Sequence, residues 1–104
     1  MTEEFKKHLE SLINQSETVL FMKGDKYLAK CGFSAQVVDV LNHLGVKFTT
    51  FDILEDEEVR QGLKEYSNWP TFPQLYHNGE LVGGCDIVTE MFQSGELKEL
   101  LCNK

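Results

Sequence analysis

Three cysteines, Cys31, Cys85 and Cys102, carry the reactive chemistry this sequence offers. The thiolate form of cysteine is both a nucleophile and a metal ligand, and its surroundings decide whether it forms. Cys31 follows an apolar run and a loop and stands where a helix is expected to open. Free N–H groups and the positive end of the helix dipole would stabilise a thiolate there. Lys23 and Lys30 would add positive potential. The competing reading is a buried, inert cysteine, the commoner fate of a lone one. A position between a lysine-rich loop and a helix start disfavours that reading. Ser34 stands three residues on, where a redox dithiol would carry its second cysteine. It cannot close a disulfide. Either it donates a hydrogen bond to the thiolate or caps a backbone group, or it is an ordinary polar residue of the first helical turn.

The remaining thiols fit no framework. An odd number of cysteines at wide spacing is not the pattern of a secreted disulfide scaffold. There is no Cys-x-x-Cys and no paired Cys/His spacing, which argues against structural zinc. This usage implies an intracellular reducing compartment, cytoplasmic or mitochondrial. Cys85 is either a small packing residue whose backbone matters or a thiol close enough to Cys31 to pair with it on oxidation; the first is preferred. Cys102 is read as incidental. His8, His43 and His77 lie far apart in the sequence and are expected in surface or helix positions.

The elements that must position Cys31 follow from periodicity. Phe5, Leu9, Leu12 and Ile13 recur at helical spacing. Val19 to Met22 is a short continuous apolar run, read as a strand buried on both faces. Residues 24–30 form a loop. Val37, Val40, Leu41 and Leu44 define one face of a helix over 33–44 that Gly45 ends. Residues 46–53 are rich in β-branched and aromatic side chains and read as a second strand. Val59, Leu63 and Tyr66 mark a helix that starts beside the acidic run Glu55 to Glu58, where negative charge suits the dipole. After the break at Trp69 to Pro73, residues 74–77 and 80–82 flank Asn78-Gly79, a strong hairpin signal. Gly83-Gly84 is a turn, and Ile87, Met91, Leu97, Leu100 and Leu101 fit one or two closing helices.

A helix joins the first two strands, so they should be parallel with a right-handed crossover. The last two should be antiparallel. The expected fold is therefore α/β: a four-stranded mixed sheet flanked by helices on both faces, the thioredoxin architecture, in a single domain over residues 1–104. The net charge of −7 argues against a nucleic-acid partner. No apolar run approaches a membrane span, so no membrane association is expected.

Cys31-Gly32-Phe33-Ser34 resembles the active-site motif of monothiol glutaredoxins. The likeness extends to Phe21-Met22-Lys23-Gly24, to Trp69 through Gln74, and to Gly83-Gly84-Cys85-Asp86, in the family's order. It covers the chain from about Thr18 to Leu101. The resemblance implies a glutathione site. Lys23 and Arg60, with Lys64 assisting, would pair with the glycyl carboxylate. Phe72 would present its backbone to the cysteinyl unit. Cys85 and Asp86 would hold the γ-glutamyl end, with helix-start N–H groups for its carboxylate. Pro73 is expected to be cis, as is usual in this fold, and Trp69 to be core or platform. Read without the resemblance, Lys23, Arg60 and Lys64 are surface charges and Asp86 an N-cap.

The resemblance also implies a function. A [2Fe–2S] cluster usually takes four thiolate ligands, and Cys31 supplies one. Two chains and two glutathione thiols would complete the shell, giving a cluster-bridged homodimer that passes its cluster to apo-protein acceptors. A BolA-like protein is a further family partner. The alternative is glutathione-dependent reduction of mixed disulfides by Cys31 alone, expected to be weak in this family. One feature departs from the family pattern. Its members often carry prolines between the Lys-Gly pair and the cysteine, whereas residues 25–30 contain none. A less rigid loop is expected.

Overall fold

The structure, a computed structural model, describes residues 1–102. Helix α1 (Glu3–Ile13) leads into strand β1 (Thr18–Met22), helix α2 (Gly32–Leu44) and strand β2 (Thr49–Asp52). Helix α3 (Glu57–Ser67) is followed by the hairpin β3 (Gln74–His77) and β4 (Glu80–Gly83), then by α4 (Cys85–Ser94) and α5 (Glu96–Cys102). The sheet order is β2-β1-β3-β4. β1 runs parallel to β2, with Val19 opposite Thr49, and antiparallel to β3, with Leu20 opposite Leu75. This is the expected four-stranded mixed sheet.

Side chains alternate between the two faces of a strand, and β1 shows it. Leu20 and Met22 point to the face covered by Val37 and Leu41 of α2, Val88 of α4 and Leu97 of α5. Val19 and Phe21 point to the other face, under Leu9 and Ile13 of α1 and Val59 and Leu63 of α3. Every β1 residue is buried, as a central strand with helices on both sides requires.

Helix boundaries have local causes. Thr2 Oγ1 accepts from the Phe5 N–H at the start of α1, and Asp56 Oδ1 accepts from the Val59 N–H at the start of α3. Gly45 ends α2 in the left-handed conformation, at φ 70°. The second strand is shorter than the 46–53 expected from composition. The Val46 N–H is used by the Leu41 carbonyl in the turn that closes α2. The Phe48 carbonyl accepts from Lys26 Nζ instead of joining the ladder. Composition could not reveal either commitment.

His77 departs from expectation as well. It is neither surface nor helical but buried on β3, 8 % exposed, with Nδ1 2.9 Å from Thr18 Oγ1. Strand pairing causes this, because Thr18 and His77 are register partners. His8 and His43 are exposed on α1 and α2, as expected.

Candidate functional site

The site is assembled at one end of the sheet. β1 ends at Met22, and the chain turns through residues 24–30 before α2 begins. That loop is not slack, although it lacks proline. Asp25 and Leu28 exchange N–H···O=C bonds of 3.2 Å in both directions, and the Lys30 N–H donates to the Lys23 carbonyl at 2.8 Å. Asp25 Oδ1 accepts from the N–H groups of Tyr27 and Leu28, the usual way an aspartate stiffens a turn. Asp52 Oδ1 accepts from the Gly24 N–H and ties the loop to the end of β2. The expected loss of rigidity is therefore offset by two aspartates. The tip leaves Tyr27 89 % exposed, with Leu28 exposed beside it.

Cys31 is the N-cap of α2, in extended conformation and with no side-chain cap bond of its own. Its thiol lies below the usual thiol range. The Ser34 backbone N–H is the main cause; partial burial opposes it, and the Phe33 N–H, the Lys23 ammonium and the Ser34 hydroxyl lower it further. Lys30 is not among these groups, and Lys26 has turned away to sit 4.6 Å from the centre of the Phe48 ring. Of the lysines before Cys31, Lys23 is the one whose charge lowers the thiol.

Ser34 fills both roles that its position left open. Its side chain is wholly buried, and its Oγ accepts from the Lys23 N–H at 3.1 Å while its hydroxyl also favours the Cys31 thiolate. A Ser34→Ala variant separates these contributions. Because the main influence is the backbone N–H, which alanine keeps, the pH midpoint for alkylation of Cys31 is expected to stay below that of a free thiol. The orphaned Lys23 N–H should cost about 1–3 kcal/mol of stability. Iodoacetamide rates against pH, with a thermal melt, check both. A midpoint that returns to the free-thiol range would show that the hydroxyl, not the helix start, controls the thiolate.

Beside this thiol lies a cleft of about 530 Å³. Lys23, Arg60, Lys64, Phe72, Cys85 and Asp86 all line it, so six residues from four parts of the sequence converge. Cys31 itself is not a lining residue. Three of the six are cationic, in a chain whose net charge is −7. Arg60 is held near Glu57 at 3.8 Å, the surface pairing that its spacing allows. Its Nε, however, is buried with no partner among the described residues, as is Trp69 Nε1 on the same cleft.

The segment Trp69 to Pro73 forms one wall. The Phe72–Pro73 peptide is cis, as expected. Neither the N–H nor the C=O of Phe72 has a hydrogen-bond partner among the described residues. The start of α4 packs against this segment and also lines the cleft, and its N-cap Gly84 supplies no side-chain cap. The N–H groups of that first turn have no intrahelical acceptor. Gly84 sits tightly against this segment: a Cβ would lie 3.2 Å from Trp69 Nε1 and 3.3 Å from the Pro73 carbonyl, so the neighbours would have to give by a few tenths of an ångström. Trp69 is thus a platform in the wall and not part of the core.

Cys85 differs from Cys31. Burial pushes its thiol up, and the negative charges of Asp86 and Cys31 add to that, against a lowering by the Thr89 hydroxyl. Cys85 keeps its proton at a pH where Cys31 has lost its own. Cys102 is exposed on α5 and lines a separate cleft with Leu44 and Lys47. Among the described residues no three His, Cys, Asp or Glu side chains are grouped to hold a metal.

Comparison with known proteins agrees with this geometry. A family model described as Glutaredoxin matches residues 18–82. An uncharacterized monothiol glutaredoxin, ycf64-like, from Synechocystis is 54 % identical over 101 residues, covering 97 % of this chain and 94 % of that one. The chain belongs to the monothiol glutaredoxins of the thioredoxin superfamily. Zebrafish Glutaredoxin 3 is 61 % identical to this glutaredoxin over 100 residues, which is 96 % of the chain but only 31 % of that longer protein. The chain thus spans about a third of that relative. The crystal structure of a buckwheat glutaredoxin–glutathione complex superposes with a TM-score of 0.82 at 26 % identity, over 98 % of this chain and 94 % of that one.

The sequence missed some of what builds the site. Thr71, Pro70 and Ile87 line the cleft, and Asp25 and Asp52 hold the loop. Asp25 left a signal, since an aspartate inside a short loop is a turn former.

Proposed function

We propose that this glutaredoxin binds glutathione in the cleft and, together with a second copy, carries a [2Fe–2S] cluster as cargo. The single observation that carries the reading is the pairing of one activated thiolate, Cys31, with a cationic cleft beside it and a buried serine, Ser34, in place of a second thiol. Lys23 and Arg60 would take the glycyl carboxylate of glutathione, with Lys64 at the rim. The unpaired backbone edge of Phe72 would pair with the cysteinyl unit. The first turn of α4 would receive the γ-glutamyl carboxylate, and Asp86 its ammonium. The unpartnered Nε of Arg60 is the kind of buried donor that an anionic ligand satisfies. The glutathione complex of the buckwheat relative supports this assignment.

The cluster follows from ligand supply. Thiolates are the usual ligands of a [2Fe–2S] cluster, four in all. One chain offers Cys31, the thiol at the head of α2, because Cys85 lines the cleft and is assigned to glutathione. Two chains and two bound glutathiones make up the set, so the reading requires a homodimer and a reducing compartment. Apo-proteins would receive the cargo, and a BolA-like protein could replace one copy. Anaerobic reconstitution with and without glutathione, followed by visible absorbance and size-exclusion chromatography, tests it. The expected result is a coloured dimer with glutathione and a colourless monomer without. A stable cluster formed in the absence of added thiol overturns the reading.

A second reading is favoured by the state of Cys31 itself. Its partly exposed thiolate can attack the sulfur of a glutathione mixed disulfide and release the target thiol; a second glutathione thiolate then attacks Cys31–glutathione and leaves as glutathione disulfide. A glutathione-coupled reductase assay measures that route directly.

A further inference from the structure

The wall formed by Trp69 to Pro73 has no regular secondary structure, yet it must hold a fixed shape if a backbone edge is to be read by a ligand. The structure shows what fixes it. Gln74, the first residue of β3, is a fully buried polar side chain in a strand whose neighbours are Leu75 and Tyr76. Its Nε2 donates to the Trp69 carbonyl at 3.1 Å and to the Thr71 carbonyl at 3.3 Å. Its Oε1 accepts from the Tyr76 hydroxyl at 2.9 Å. Both hydrogens of the amide and its oxygen are engaged, so the group has a single orientation.

We propose that Gln74 is a positioning residue of the glutathione cleft: its amide clamps the Trp69 and Thr71 carbonyls and so holds the unpaired backbone edge of Phe72 where a peptide ligand can pair with it. The proposal rests on the reading of the cleft as a glutathione site. Each partner fits. A backbone carbonyl can only accept, so a group that bridges two of them needs two donor hydrogens, which the Gln74 NH₂ supplies without a charge. The tyrosine hydroxyl sets which end of the amide faces them. Burial raises the Tyr76 hydroxyl to about 12, against a lowering by Ser67, so it remains a donor throughout the physiological range. Gln74 touches no ligand; it acts through the loop.

Gln74→Glu is the discriminating variant. It preserves size and the bond from Tyr76. When ionised, it turns a donor toward two carbonyls into a repelling charge. When protonated, it can donate to one of them again. Burial should raise its pKa, so the defect should itself depend on pH. The sole tryptophan, Trp69, reports the loop without any ligand. At pH 8 the variant should bind glutathione at least about tenfold more weakly than wild type by calorimetry, with tryptophan emission shifted to the red. As pH falls toward 5, the ratio of variant to wild-type affinity should recover and the emission shift should shrink. The pH midpoint for Cys31 alkylation should not move. Tyr76→Phe, a milder change, should weaken binding by about twofold to fivefold; it keeps the test open should Gln74→Glu not fold.

Affinity and emission like wild type in the folded variants overturn the proposal. A loss with no pH recovery also overturns it, since that would mark general damage and not a lost donor. If wild type itself binds no glutathione, the glutathione reading fails, and the ligand-free emission profile still decides the clamp.

Discussion

Cys31→Ser is expected to abolish the cluster and to reduce mixed-disulfide turnover by at least about a thousandfold, while leaving glutathione binding within about twofold of wild type. The first part follows from chemistry: a serine hydroxyl stays protonated where the Cys31 thiol, stabilised by the Ser34 and Phe33 N–H groups, does not. The second follows from geometry, because Cys31 does not line the cleft that holds Lys23, Arg60 and Phe72. Stability supplies an internal control. Cys31 is the N-cap of α2 and makes no side-chain cap bond. Serine is a far better N-cap, and its oxygen can accept from the same N–H groups that now face the thiol. The variant should therefore melt at the same temperature as wild type or above it. Reconstitution, a reductase assay, calorimetry and a thermal scan on one preparation check all four statements. A variant that melts lower and binds no glutathione would show Cys31 to be structural.

The parts of this fold that were legible in the sequence are those set by local pattern. β1 announced itself as an unbroken apolar run, and the structure buries both its faces. Cys31 at the head of α2 could be placed because a strand, a loop and a helical periodicity follow one another there. Convergence was legible only through family likeness. Lys23, Arg60 and Asp86 are far apart in the chain, and no spacing shows that a parallel crossover and a hairpin bring them to one cleft. Two kinds of feature stayed hidden. Commitments made outside the strand itself were missed, such as the Val46 N–H donated to the Leu41 carbonyl in the turn that closes α2, which shortened β2, and the distant pairing with Thr18 that buried His77. So were polar side chains that act on backbone. Asp52 lay within the expected second strand and Gln74 within a family-like motif, and only the fold shows which N–H or carbonyl each one holds. A glutamine that opens a strand immediately after a proline was the available hint.

The loop before Cys31 supplies the second large effect. Gly24 and Gly32 lie within the same short stretch, and composition cannot rank them. Gly24 has φ +90°, and a Cβ there would stand 2.3 Å from the Leu28 carbonyl oxygen and 2.8 Å from the Lys30 nitrogen. Both obstacles are backbone, so no side-chain adjustment can relieve them. Gly32 has nothing within 4 Å of its Cβ position and no left-handed φ. Gly24→Ala must therefore open the turn, losing the Gly24–Ala29 bridge and the bond from the Lys30 N–H to the Lys23 carbonyl. Lys23 and Cys31 would then lose their fixed relation. The expected cost is about 1–3 kcal/mol of stability and, from a reacting group displaced by about 1 Å, about a hundredfold in turnover or cluster yield. The Cys31 midpoint should also rise, as the Lys23 charge moves away. The core should survive, since β1 ends at Met22, before the turn. Gly32→Ala should leave stability, midpoint and turnover within about twofold of wild type, because a helix N-terminal alanine meets no obstacle and adds helix propensity. Measured side by side, the two variants decide whether this loop sets the position of the thiolate. Equal behaviour would mean that α2 alone holds Cys31 and that the hydrogen-bonded turn ahead of it contributes nothing to the chemistry.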